Sequence, residues 1–124
     1  MGIGSRRSTE LQVALAVRRL TEIPRSRRVF LFINVSAIHP PNHIFLPGAK
    51  EDSLKSHGAA LAYVDRQLPP LIEALRMRGP TLLLIFSDHG TAYGEDGFWG
   101  HRISHPVVWT VPYAECILQP SLVP

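Results

Sequence analysis

The sequence has few of the features that mark membrane-bound or secreted proteins. Its 124 residues include one cysteine, Cys116, which excludes an internal disulfide and fits a reducing compartment. No apolar run approaches the roughly 20 residues that cross a bilayer. The first seven residues carry charge but are not followed by the apolar segment of a secretory signal. We therefore expect a cytoplasmic protein without a membrane partner.

Positive charge is concentrated at one end of the chain. The formal net charge is +3, and seven of the 13 Lys and Arg residues precede Val29. Arg25, Arg27 and Arg28 could contact nucleic acid, but neither interleaved aromatic residues nor a nucleic-acid motif accompanies them. We interpret these arginines as a solvated helix end and linker, so nucleic acid is not an expected partner.

The remaining composition and periodicity predict one α/β domain. Hydrophobic residues make up 45% and charged residues 19%, as in a globular chain. Thr9 can cap a first helix through a capping box with Gln12, and Pro24 ends that helix. The apolar face of this helix is predicted to comprise Val13, Ala16, Val17 and Leu20. A second helical pattern begins near Asp52 and is interrupted by two prolines, where a kink or a new helix is expected.

Two nearly continuous apolar runs predict buried strands. They are residues 29–35 (VFLFINV) and 81–86 (TLLLIF), and residues 107–111 and 114–118 predict further short strands. Residues 36–50 are rich in proline and predict a loop. The order of elements indicates a mostly parallel sheet flanked by helices, with the loops after residues 35 and 86 at the same, ligand-binding edge.

The motif Ser87-Asp88-His89-Gly90 directly follows the second apolar run. A carboxylate and an imidazole at the carboxyl end of a strand can both turn onto one cation, and Gly90 gives the backbone freedom for the turn. Oxygen and nitrogen ligands together suit Zn²⁺ or Mn²⁺, with Ca²⁺ or Mg²⁺ as alternatives. The competing interpretation is a loop hydrogen-bond pair. The position after a buried strand favours metal binding by Asp88 and His89.

This arrangement resembles the C-terminal half of sulfatases and related metal-dependent hydrolases of the alkaline-phosphatase superfamily. The resemblance covers residues 29–118 and includes residues 60–75 (ALAYVDRQLPPLIEAL), which are similar to the helix before the metal-binding strand. In those relatives the Asp and the His of the motif bind the active-site metal. The resemblance therefore implies a partial alkaline-phosphatase-like fold and metal ligation by Asp88 and His89.

The same resemblance suggests roles for three further residues. In relatives, a basic residue in the later loop contacts the anionic group of the substrate or a second metal, and His101 occupies that place. Arg102 beside it could clamp an anion through its planar guanidinium. A histidine near a proline after the first strand commonly reaches the substrate, and His39 fits this better than His43. His105 competes with His101, and a plain loop histidine remains an alternative for both His39 and His101.

No residue matches the nucleophile that the resemblance implies. Cys116 lacks the Pro and Arg that surround the cysteine converted to formylglycine in sulfatases, so we interpret it as a buried structural thiol. The nucleophile and the first metal-binding Asp lie upstream of the motif in relatives. We therefore expect residues 1–124 to be one α/β domain from the C-terminal part of a larger catalytic domain. In this division, residues 1–28 form a helix and Arg-rich linker, and residues 29–118 form the core.

The sequence is compatible with three functions. The expected one is to supply half of a metal site to a hydrolase of phosphate or sulfate esters, inactive alone and completed by a second chain. The second is that of a non-catalytic remnant or binding module that keeps the fold. The third alternative is an α/β module that binds an anionic partner through its Arg-rich N-terminal end.

Overall fold

A computed structural model describes residues 5–120 of the chain. The described residues divide into two compact units, one containing residues 5–80 together with residues 119–120, the other containing Thr81–Leu118. The first unit is helical, and the second carries the strands. Both helices and strands are present, as an α/β chain requires. None of the helices within residues 5–120 is long and apolar enough to span a membrane.

Three helices build the first unit: α1 (Ser8–Glu22), α2 (Leu54–Gln67) and α3 (Pro69–Arg78). Their apolar stripes face inward, because residues three and four apart share one face of a helix. The buried apolar side chains of this unit are Val13, Ala16, Leu20, Ala37, Ala60, Val64, Leu71 and Leu75. The predicted inward face of α1 is thus confirmed at three of its four positions, with Val17 half-buried.

The start of α1 differs from the prediction. Arg7 is the N-cap residue and makes no side-chain cap bond, so the capping box of Thr9 and Gln12 is wrong. Thr9 lies in the first helical turn and is fully buried, and its hydroxyl has no hydrogen-bond partner among the described residues. The apolar stripe sets the rotation of the helix, and this rotation turns Thr9 inward rather than towards the backbone donors that a cap satisfies.

A boundary between two helices falls at the paired prolines. α2 ends at Gln67 and α3 begins at Pro69, which confirms the prediction of a second helix at this point. Proline is tolerated in the first turn because the N–H that it lacks would have no partner there. α2 begins with a capping box between Ser53 and Ser56, in which each side chain accepts the backbone N–H of the other.

Residues 29–35 form no strand, contrary to the prediction. They lie outside all helices and strands, and the side chains of Phe30 and Phe32 are 93% and 70% exposed. A strand needs a neighbouring strand to accept and donate its backbone hydrogen bonds, and the described part of the first unit contains no strand. Asn34 is held instead through its carbonyl oxygen, which accepts a bond of 2.8 Å from Nε2 of Gln12.

The second unit contains two antiparallel pairs of strands. β1 (Thr81–Phe86) pairs with β4 (Tyr113–Leu118), with Thr81 opposite Leu118 and Phe86 opposite Tyr113. β2 (Ala92–Tyr93) pairs with β3 (Trp99–Gly100). The strands predicted at residues 81–86 and 114–118 are thus confirmed. The expected mostly parallel sheet is wrong for the described residues, because both pairings run antiparallel.

The strand predicted at residues 107–111 is also wrong, since a short helix, α4 (Pro106–Trp109), occupies this segment. His105 is its N-cap residue, and Nδ1 of the ring accepts the N–H of Val107 at 3.2 Å. Pro106 occupies the first helical position, where its fixed φ favours a helix. Local capping therefore outweighs the strand propensity of the two valines that follow.

Candidate metal site at the end of the first strand

The sequence Ser87-Asp88-His89-Gly90 forms a tight turn as the chain leaves β1. The hydroxyl of Ser87 donates to the carbonyl of His89 at 2.7 Å, which folds the turn back on itself. The N–H of Gly90 donates to the carbonyl of Val108 in α4 at 2.7 Å. One side-chain and one backbone bond thus fix the turn on either side of the two predicted ligands.

Gly90 lies too close to α4 for any side chain. A Cβ atom at this position would lie 1.9 Å from the carbonyl oxygen of Val107. Glycine is needed here for this close approach, rather than for the conformational freedom of the turn that the sequence suggests. The contact brings the backbone of the turn directly against the backbone of α4.

Asp88 and His89 present an oxygen and a nitrogen to the same region. Oδ2 of Asp88 lies 4.0 Å from Nε2 of His89, and the two side chains are 88% and 33% exposed. Oδ1 of Asp88 accepts the backbone N–H of His89 at 3.1 Å, which keeps the carboxylate beside the imidazole. The two predicted ligands are therefore adjacent, and the carboxylate is open to solvent.

The hydrogen bond at Nδ1 settles which nitrogen of His89 can bind a cation. Nδ1 lies 2.8 Å from the carbonyl oxygen of Gly90. A carbonyl can only accept, so Nδ1 carries the proton and, in the neutral ring, Nε2 carries the lone pair. A backbone carbonyl that holds the far nitrogen of a ligating histidine is a recurrent feature of metal sites.

The separation of the two donor atoms is compatible with one shared cation. Two ligands that each lie about 2.1 Å from a tetrahedral Zn²⁺ are about 3.4 Å apart. The 4.0 Å between Oδ2 of Asp88 and Nε2 of His89 is longer than this, so the exposed carboxylate would turn towards the imidazole for both to bind one cation. Within residues 5–120, no group of three or more His, Cys, Asp or Glu side chains is positioned to hold a metal. The residues present thus fit two positions of a coordination sphere.

His101 lies against His89. The two imidazole rings are stacked, with centroids 4.4 Å apart and planes inclined by 19°. The structure thus brings together three of the five residues predicted from the sequence, namely Asp88, His89 and His101. Arg102 follows directly and is exposed, and it makes no ion pair within the described part of the chain.

His39 belongs to the other compact unit. It is exposed, and its Nδ1 donates to the carbonyl of Pro40 at 2.6 Å. Its predicted role towards a substrate remains a prediction. Cys116 is exposed on β4, which corrects the prediction of a buried thiol.

His105, the competitor of His101, has both ring nitrogens engaged. Nδ1 accepts the N–H of Val107, so the proton lies on Nε2, which donates to Oδ2 of Asp96 at 3.0 Å. The ring also packs at a tilt against Phe98, with centroids 5.5 Å apart. This leaves His101 as the loop histidine next to the predicted ligands.

A second polar cluster, in the first unit, was missed by the sequence analysis. Asp52 Oδ1 accepts the backbone N–H groups of Asn42 and His43 at 2.8 and 2.7 Å and lies 2.9 Å from Nδ1 of His43. The fully buried Asn42 accepts a bond from the hydroxyl of Ser56. Partial burial tends to raise the pKa of Asp52, but the bonds from His43 and Asn42 outweigh it and hold this pKa below its usual value.

Comparison with known protein families identifies the family of the chain. The sulfatase family model matches residues 6–113, most of the chain, and the chain belongs to this family. The family generally uses a divalent metal and acts on sulfate esters. No curated protein and no solved structure matches the chain.

Proposed function

We propose that this chain is the C-terminal, metal-binding part of a sulfatase-like hydrolase that acts on sulfate or phosphate esters. The observation that carries the proposal is the pair of donor atoms after β1, Oδ2 of Asp88 and Nε2 of His89, 4.0 Å apart. The hydrogen bond from Nδ1 of His89 to Gly90 leaves Nε2 as the ligand atom. Family membership supports this assignment, because a divalent metal is general in the family.

Four residues of the chain would have different roles at such a site. When bound, a divalent cation stabilises charge on the transferring group and lowers the pKa of a nucleophile. Asp88 would contribute negative charge to the cation, and His89 would contribute a nitrogen ligand whose proton is held at Nδ1. His101, stacked on His89, restricts the rotation of that ring. The exposed guanidinium of Arg102 could pair with an anionic ester in a bidentate manner.

We further propose that the chain alone does not turn over substrate. Two adjacent ligands make a weak, open site, and catalytic metal sites in proteins typically have three protein ligands. A second chain that supplies the remaining ligand and a nucleophile would complete the site. The single cysteine supports a cytoplasmic location for this assembly. The proposal includes both sulfate esters and phosphate esters as candidate substrates.

The two-ligand arrangement also favours one alternative, a binding module that holds metal without turnover. Both proposals require the cation at Asp88 and His89, and they differ only in hydrolysis. The isolated chain is expected to show none on aryl sulfates or aryl phosphates. Hydrolysis that is restored by adding a second chain with an Asp and a Ser, Thr or Cys nucleophile would favour the enzyme over the binding module.

Metal titration tests the cation binding that both proposals require. Zn²⁺ and Mn²⁺ uptake is measured for the unmodified chain, for Asp88→Ala and for Asp65→Ala, the last being a matched control at an exposed carboxylate on α2. Asp88→Ala is expected to lose more than about 10-fold in affinity, since removing a ligand costs more than removing the outer-shell partner of a ligand. Asp65→Ala should bind as the unmodified chain does. Equal uptake by all three proteins would sink the proposal.

Activity provides a second check on the location of the site. If the isolated chain does hydrolyse an aryl ester, the Asp88→Ala, His101→Ala double variant should abolish the reaction. An unchanged rate in the double variant would place the chemistry elsewhere in the chain.

A further inference from the structure

His105 lies at one end of a continuous series of hydrogen bonds that ends at His89. Its Nε2 donates to Asp96, and its Nδ1 accepts the N–H of Val107, the second residue of α4. Its own carbonyl accepts the N–H of Val108 at 2.9 Å. The His105 ring is only 13% exposed and its bond to the Val107 N–H is partly buried, whereas its bond to Asp96 is open to solvent, since Asp96 is 83% exposed.

The series of hydrogen bonds continues from α4 into the turn formed by residues 87–90. The carbonyl of Val108 accepts the N–H of Gly90 at 2.7 Å, and the carbonyl of Gly90 accepts the proton on Nδ1 of His89 at 2.8 Å. The missing side chain of Gly90 permits this approach, because a Cβ atom there would lie 1.9 Å from the Val107 carbonyl oxygen. The position of the Gly90 peptide therefore depends on where α4 begins.

We propose that His105 is a positioning residue for the metal ligand His89. By capping α4, His105 fixes the position of the Val108 carbonyl, and this carbonyl fixes the Gly90 peptide through its N–H. The carbonyl of Gly90 then holds the proton of His89 on Nδ1. Nε2 of His89 is then kept as the ligand atom. The two histidines have opposite tautomers in the neutral state, with the proton on Nε2 in His105 and on Nδ1 in His89. The expected effect on metal binding rests on the proposed function, whereas the expected effect on the tautomer of His89 does not.

Three variants isolate the role of the cap. His105→Ala removes the acceptor for the Val107 N–H and the donor to Asp96. His105→Asn keeps a cap acceptor, since asparagine is among the best N-cap residues. Ser104→Ala is the matched control, because Ser104 is the exposed neighbour of His105 and makes no hydrogen bond within residues 5–120.

The first measurement is the tautomer of His89 in the metal-free chain, from the ¹⁵N chemical shifts of its ring nitrogens. The unmodified chain, Ser104→Ala and His105→Asn are expected to show the proton on Nδ1. His105→Ala should show a mixture of the two tautomers in a chain whose amide spectrum remains dispersed. An unchanged His89 tautomer in His105→Ala would overturn the proposal, and so would an equal mixture in His105→Ala and His105→Asn.

The second measurement is Zn²⁺ affinity by competition with a chelator. His105→Ala is expected to bind about tenfold more weakly than the unmodified chain, as for other outer-shell partners of metal ligands, and His105→Asn should recover most of this loss. Undiminished affinity in His105→Ala, with a clear loss in Asp88→Ala, would refute the positioning role and leave the metal site intact. If the unmodified chain and Asp88→Ala bind alike, the proposed function fails, and the tautomer measurement still decides the role of His105.

Discussion

Arg78 donates four hydrogen bonds to backbone carbonyls of the first unit, and its removal should lower the stability of that unit. Its Nη1 donates to the carbonyls of Leu20 and Ile23, both at 2.7 Å. Its Nη2 donates to the carbonyls of Pro24 and Arg27 at 3.1 and 2.8 Å. The last carbonyls of a helix have no partner within the helix, so the guanidinium at the end of α3 satisfies the end of α1 and the chain that follows it.

The expected cost follows from the burial of these four bonds. The two bonds from Nη1 are partly buried, whereas the two from Nη2 are exposed. A hydrogen bond to a charged group contributes about 1.5–3 kcal/mol net, and exposed ones contribute much less. Arg78→Ala should therefore lower the free energy of unfolding of the first unit by about 2–4 kcal/mol, allowing for the partial exposure. Such a loss is a large part of the stability of a small domain.

Urea unfolding followed by circular dichroism at 222 nm measures this change, since α1, α2 and α3 contain most of the described helix. With a denaturant slope of about 2 kcal/mol per molar, the midpoint should fall by about 1–2 M. Arg76→Ala is the matched control, because Arg76 is exposed on the same helix and makes no ion pair within residues 5–120. Arg78→Lys should keep part of the stability, since an ammonium group cannot reproduce the planar fork of four donors. A midpoint for Arg78→Ala equal to that of Arg76→Ala would refute the reasoning.

Two further predictions concern pH and surface packing. The folded-state pKa of Asp52 is depressed, so its contribution to stability is present above the unfolded pKa of about 3.9 and is lost as the pH falls through the folded value. Asp52→Asn should therefore reduce the pH dependence of the free energy of unfolding below about pH 5. An unchanged pH dependence would contradict this. Leu82 and Ile117 lie opposite each other on β1 and β4 and are 64% and 65% exposed, so the Leu82→Thr, Ile117→Thr pair should cost less than about 1 kcal/mol and raise solubility. Tryptophan fluorescence during urea unfolding measures that cost, and a loss above about 3 kcal/mol would mean that these side chains are buried in solution.

Local signals in the sequence predict some elements correctly but do not decide which apolar run becomes a strand. The helix beginning at Pro69 and the strand at residues 81–86 were both predicted. Residues 29–35 have nearly the same apolar character as β1 but form no strand. The difference is a partner, because β1 pairs with β4, whereas residues 29–35 pair with no strand in the described chain. Apolar composition gives the propensity of a strand, and pairing depends on residues far away in sequence.

At the candidate site, residue types were predictable but their contacts were not. Asp88, His89 and His101 were all predicted, yet neither the stacking of the two imidazoles nor the link from Gly90 to α4 follows from their spacing. The cap formed by His105 was missed because histidine is not among the usual N-cap residues, although the proline after it was a usable signal. The bonds of Asp52 to Asn42 and His43 span a loop and could not be derived from any local pattern.

The two proposed ligands, Asp88 and His89, are not held equally firmly in the candidate site. This difference affects which metal the site would prefer. The carboxylate of Asp88 is 88% exposed and is held by the single bond to the N–H of His89. The ring of His89 is held by the bond to Gly90 and by the stacked ring of His101. The preorganised ligand is therefore a nitrogen, and the oxygen ligand must be ordered when the cation binds. Imidazole favours Zn²⁺ over Mn²⁺, whereas Ca²⁺ and Mg²⁺ prefer oxygen ligands throughout. We therefore expect Zn²⁺ to bind more tightly than Mg²⁺ or Ca²⁺ at the proposed site.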